Sequence, residues 1–283
     1  MIWFLSLALL LAGTEAWWCT GHMLVANVAL RSMCQKTKDA TADLIDMQTK
    51  YNPKSPDFMQ TACWADDIKG TSNLYDTWHY INYPFIPRDP PVGSVTGIND
   101  EHNVVWALTS LNKTLHNTHG NIMEQSRALY FNIHFVGDIH QPLHAITMYS
   151  HKFEPPDGDM GGNLYHIQGA NVSTLHKFWD SGAGLWEADF TRPLNSSAYA
   201  IVESLTDGLI AKYPIKTFGG LLDMAFDDYA REAVDFAVNV TYTTPEGGVI
   251  SDNYLAASRT VVERQATLGG YRLAYLLEQV FGC

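Results

Sequence analysis

The chain alternates long stretches of helical hydrophobic spacing with breaks rich in glycine and proline. Over residues 21–34, Leu24, Val25, Val28 and Ala29 recur at the interval that lines up apolar side chains on one helix face. The same periodicity predicts helices over 39–50, 57–68, 101–118, 172–187, 197–211, 219–240 and 251–281. The stretch 121–147 is long and apolar and is expected to form the central helix. Pro84 to Gly97 and Glu154 to Gly162 read as loops. Gly269-Gly270 is expected to interrupt the last helix and to mark a close crossing. The prediction is an all-α fold: one multi-helix bundle, with no repeat and no second domain.

The central stretch also carries chemistry, in the run NIHFVGDIHQPLH from Asn132 to His144. His134 and Asp138, four residues apart, share one helix face. His144 follows Pro142, and a bend there is expected to swing it towards the same cavity. Buried among Phe135, Val136, Ile139 and Leu143, such polar groups cost several kcal/mol unless partnered. Two imidazoles and a carboxylate are what zinc takes as ligands. His176 and Asp180 in LHKFWD repeat the spacing, and Asp66 in WAD, His79 in WHY and His22 in GH add to the set. Each alone is as readily an ordinary polar contact. Five histidines and three aspartates in such settings point together to a metal centre.

Residues 1–16 read as a secretory signal peptide, with an apolar run over 2–12 and a small residue at Ala16. The run is shorter than the roughly 20 residues needed to span a bilayer. Cleavage after Ala16 makes Trp17 the amino terminus, whose amine and carbonyl can chelate a metal. Cys19, Cys34, Cys63 and Cys283 then suggest two disulfides, with the pairing open. Asn112, Asn171, Asn195 and Asn239 begin glycosylation sequons. The net charge of −12 argues against a duplex-DNA binder and for short or single-stranded substrates. Arg272 and Glu278 disqualify the apolar C-terminus as a membrane anchor.

Taken in order, Trp17, Gly21-His22, Trp64-Ala65-Asp66, Trp78-His79-Tyr80, His134 to His144, Gly161-Gly162-Asn163 and Leu175 to Asp180 resemble the zinc-dependent class I nucleases, the single-strand-specific nucleases and 3'-nucleotidases. That family shares its helical fold with zinc phospholipase C. The resemblance implies a nuclease domain over 17–283 holding three zincs. Asp66, His79 and His134 would hold the first, and His144, His176 and Asp180 the second. The Trp17 amine and carbonyl with His22 would hold the third, and Asp138 would bridge first and third. It further implies Asp66 as the residue that orients the attacking water, and Lys69 near the substrate phosphate. Tyr80 would stack on a base, Asn82 would lie by that base, and Asn163 would donate to phosphate.

Lys69 reads equally as a surface charge, and Asn163 as a turn residue. His140 is expected beside the site or at the surface. The expected substrates are single-stranded DNA or RNA and 3'-nucleotides, acted on by a secreted or lumenal monomer without a membrane anchor. Two alternatives stand: a phospholipase C-like enzyme, which carries Glu where this chain has Asp180, and a non-catalytic binding protein on the same scaffold.

Overall fold

Side-chain caps, rather than the apolar pattern alone, set where several of the helices begin. The structure, a computed structural model, describes residues 17–87, 89–96 and 99–283; the leader expected over 1–16 lies outside the described residues. Helices α1 (Cys19–Ser32) and α2 (Gln35–Thr49) open the fold. Two short helices, α3 (Phe58–Thr61) and α4 (Trp64–Asp67), replace the single helix expected over 57–68. At their junction the Ala62 carbonyl accepts from His134, and Cys63 is bridged to Cys19. Helix α5 (Val104–His116) starts later than the pattern predicts because the Asn103 side chain accepts from the Val105 and Trp106 amides. Asn121 caps α6 (Ile122–Asp138), Thr174 caps α7 (Leu175–Asp180) and Asn195 caps α8 (Ser196–Lys212) in the same way. Two 3-10 turns, Ile215–Thr217 and Gly219–Leu221, precede α9 (Phe226–Asn239), which therefore begins after the expected residue 219. Ser251 caps α10 (Asp252–Phe281).

The central helix does not bend at Pro142, as expected; it ends at Asp138. The reason is local. A residue before proline is pushed out of the helical region, and Gln141 sits at φ −83°, ψ 118°. Pro142 then opens a new 3-10 turn, Pro142–His144. Residues beyond it form strand β2 (Ile146–Met148), paired in parallel with β1 (Tyr83–Phe85), with Tyr83 opposite Ile146 and Phe85 opposite Met148. The fold is all-α as predicted, with this small ladder inserted where helix was expected. The ladder matters because it runs the segment after His79 alongside the segment after His144.

Helix α10 is continuous through Gly269-Gly270, against the expected interruption. The close crossing is there. A Cβ on Gly270 would lie 2.5 Å from Val28 Cβ and 2.7 Å from the Val25 carbonyl, so α10 rests on α1 where only glycine fits. One apolar cluster gathers Leu129, Ile133, Phe135 and Val136 of α6 with Leu108 of α5 and Leu273 of α10. A second gathers Met23 and Leu24 of α1, Leu175 and Trp179 of α7, and Val262 of α10. The polar residues of interest sit on elements of both clusters: α6 belongs to the first, α7 to the second and α1 to each. Cys19–Cys63 and Cys34–Cys283 are the two disulfides, leaving no free cysteine. Among the described residues, no helix is long and apolar enough to cross a membrane.

Candidate metal centre

Helix α6 delivers His134 and Asp138, both fully buried. Helix α1 brings His22, α4 brings Asp66, and the 3-10 turn Asp76–His79 brings His79. The turn after Pro142 presents His144, and α7 presents His176 and Asp180 four residues apart. Their ligand atoms gather into three groups, each within 4.8 Å: His22, His134, Asp138; Asp66, His79, His134; and His144, His176, Asp180. Asp138 divides its two oxygens. Oδ1 lies 3.3 Å from His22 Nε2, while Oδ2 lies 2.8 Å from His79 Nδ1 and 3.2 Å from His134 Nε2. Asp66 Oδ1 lies 3.7 Å from His79 Nδ1 and 3.6 Å from His134 Nε2.

The imidazoles are aimed by the backbone. His134 Nδ1 donates to the Ala62 carbonyl at 2.6 Å, His144 Nδ1 to the His79 carbonyl at 2.7 Å, and His176 Nδ1 to the Gly161 carbonyl at 2.7 Å. A carbonyl only accepts, so the proton sits on Nδ1 and the Nε2 lone pair faces the cluster. The N-terminal segment is pinned to the same place. The Trp17 indole N–H donates to the Gly137 carbonyl at 2.9 Å, the Trp18 amide donates to the Asp180 carbonyl at 2.9 Å, and Cys19 is bridged to Cys63. Gly137 is required as glycine: a Cβ there would lie 2.7 Å from His22 Nδ1.

Protonation fits a cation. Burial pushes His22 down, and lowers His79 and His144 to about 4, so these rings are neutral at physiological pH. Burial alone would raise Asp138 and Asp66. The surrounding groups together outweigh it, His134 foremost, with His79 at Asp138 and Lys69 at Asp66, and hold both carboxyls well below the usual range. Burial lowers His134 too, but Asp138 and Asp66 together raise it. Neutral imidazole and ionised carboxylate are the metal-binding forms, and a proton on His134 is one that a cation displaces. The buried His144 Nε2 and both His22 ring nitrogens make no hydrogen bond among the described residues. The donor set therefore suits a divalent cation of borderline softness.

The remaining candidates fall around this cluster. Lys69, only 14 % exposed, pairs with Asp66 Oδ1 at 2.7 Å, so it is no free surface charge. Tyr80 follows His79 directly, is half-buried, and its carbonyl accepts from Val104. Asn82 is engaged: its Oδ1 accepts from Thr147 at 2.8 Å. Asn163 donates to the Met160 carbonyl at 2.9 Å, the turn role. His140 is not a surface residue. It is fully buried, donates from Nδ1 to Val136, and accepts at Nε2 from Arg272, itself buried and stacked on Tyr229. The sequence reading took Arg272 only as a charge that excludes a membrane anchor, and passed over Gln141, whose amide reaches Asp180, although it lay within a motif. A fourth cluster, Cys34, Glu278 and Cys283, offers no thiolate because its sulfurs are bonded to each other.

Fold and site together define a class: an all-α protein whose buried centre is a histidine and aspartate cluster of metal-binding chemistry. The model of the S1/P1 nuclease family matches residues 17–282, and the chain belongs to that family. Among its relatives, Endonuclease 4 of Arabidopsis thaliana is 29 % identical, covering 99 % of this chain and 95 % of its own. Endonuclease 3 of the same plant is 28 % identical with the same coverage. Nuclease S1 of Aspergillus oryzae is 26 % identical, covering 94 % of this chain and 92 % of its own.

Proposed function

We propose that residues 17–283 form a zinc-dependent nuclease domain that cleaves single-stranded DNA and RNA to 5'-phosphate products and removes phosphate from 3'-nucleotides. Family membership supports a hydrolase of phosphodiester bonds. The observation that carries the rest is Asp138, fully buried, with one oxygen at His22 and the other at His79 and His134. A carboxylate so divided is built to bridge two cations.

Asp66, His79, His134 and Asp138 would hold one zinc, His144, His176 and Asp180 a second, and Trp17, His22 and Asp138 a third. When bound, zinc supplies an acidified water and positive charge for the phosphate and the departing 3' oxygen. The chain supplies the rest. Asp66, held ionised, accepts a hydrogen bond from the attacking water and orients it. Lys69, paired with Asp66, brings a cation beside the phosphate. Tyr80 stacks on the base, worth about 1–3 kcal/mol. The net charge of −12, with the positive charge that bound zinc would bring to the cluster, favours flexible single strands over duplex. Two disulfides and exposed sequon residues Asn171, Asn195 and Asn239, with the leader read from the sequence over 1–16, support a secreted or lumenal glycoprotein.

The test is elemental analysis of purified 17–283, with assays on single-stranded DNA, 3'-AMP and phosphatidylcholine. Tight zinc with nuclease and 3'-nucleotidase activity, both abolished by Asp138→Asn, is expected. Fewer than two zincs per chain, or phosphatidylcholine as the preferred substrate, would overturn the reading.

A further inference from the structure

We infer that Gln141 is a positioning residue that sets the carboxylate of Asp180 in the group formed with His144 and His176; this rests on the zinc reading above. Gln141 is fully buried, and both ends of its amide are committed. Its Oε1 accepts from the Leu143 amide at 2.5 Å, and its Nε2 donates to Asp180 Oδ1 at 2.6 Å. The assignment is forced by chemistry. A backbone N–H only donates, so oxygen faces Leu143 and nitrogen is left for the carboxylate. With Oδ1 so held, Asp180 Oδ2 lies 3.3 Å from His176 Nε2.

The main chain of the same residue closes the turn. Its amide donates to the Asp138 carbonyl at 2.9 Å, and its carbonyl accepts from the His144 amide at 2.9 Å. The two halves of this group come from distant stretches, one leaving α6 and one in α7. Gln141 is a side-chain bond across them. Asp138, three residues before it, and His144, three after it, belong to different groups, so this one amide also sets the spacing between groups. Partners that orient ligands in this way typically change metal affinity 10- to 100-fold when removed.

The test compares purified 17–283 with Gln141→Met, which keeps shape but loses the donor, and Gln141→Asn, which keeps the amide but withdraws it by one methylene. Gln265→Met, a buried amide on α10, serves as the structural control. Each protein is stripped by chelator, its unfolding midpoint recorded, and zinc alone titrated against a competing chromophoric chelator. Both Gln141 variants should weaken one zinc-binding step 10- to 100-fold and leave the others unchanged. Gln265→Met should lower only the unfolding midpoint of the stripped protein. An isotherm for the Gln141 variants equal to wild type, or weakened at every step alike, overturns the inference. If Gln141→Met fails to fold, Gln141→Asn decides by the same criterion. Wild-type protein without tight zinc would instead overturn the functional reading, and this inference with it.

Discussion

Gly137→Ala separates helix propensity from packing at the centre. Glycine inside a helix normally costs about 1 kcal/mol relative to alanine, so on α6 alone the change should stabilise. The site reverses the sign. The new Cβ would stand 2.7 Å from His22 Nδ1, where ordinary contact begins near 3.4 Å, so the ring must retreat by about 0.7 Å. It has nowhere to go: His22 is fully buried and stacked on His134 at 3.9 Å between ring centroids. Overpacking of this kind costs about 1–3 kcal/mol. The net is a loss of up to about 2 kcal/mol, roughly 2 °C in Tm per kcal/mol for a chain this long. His22 also moves off its 3.3 Å approach to Asp138, so one zinc should be lost. Gly208→Ala on α8 is the matched control. Its Cβ would meet nothing within 4 Å, and it should gain about 0.5–1 kcal/mol. Differential scanning calorimetry with and without chelator, beside zinc counting, reads both variants. A Gly137→Ala protein that gains stability as Gly208→Ala does, with wild-type zinc, would refute the reasoning.

Three other outcomes are expected. Asp159 is buried, bonded by Met148 and Tyr242, and burial raises its pKa from 3.8 to about 6. Between those values the folded chain holds more protons than the unfolded one, so its stabilising contribution is full below the lower value and lost as pH rises through the upper. Denaturant titrations should show Asp159→Asn gaining on wild type by roughly 3 kcal/mol across that window, and a pH-independent difference would contradict the shift. Gly270→Ala, whose Cβ would strike Val28 at 2.5 Å, should cost about 3 kcal/mol in the same assay; a change under about 0.5 kcal/mol would mean the α1–α10 crossing is looser than described. One alanine added before Trp17 should remove the free amine and one zinc per chain, and unaltered zinc content would exclude an N-terminal ligand.

Periodicity read the fold well where packing follows local pattern. Helices α1, α2, α8 and α10 lie within a few residues of their predicted bounds. It failed where a backbone group is claimed by something distant. The helix over 57–68 breaks where Ala62 turns its carbonyl to His134. The long run from 121 stops at Asp138 because Pro142 dictates the conformation of Gln141, and the following residues pair with a strand instead.

The sequence by itself determined which histidines and aspartates are set among apolar neighbours, and that four cysteines stand ready to pair. Residue type and short-range spacing carry that information, since unpartnered polar groups in such company are too costly to be idle. Only the tertiary structure decided which residue faces which. The division of Asp138 between two groups, the pairing of Cys34 with Cys283, the reach of Gln141 to Asp180 and the burial of His140 against Arg272 all join residues far apart along the chain or on separate elements. No local pattern encodes them, because each is the result of whole helices packing at angles and distances fixed by side chains elsewhere in the core.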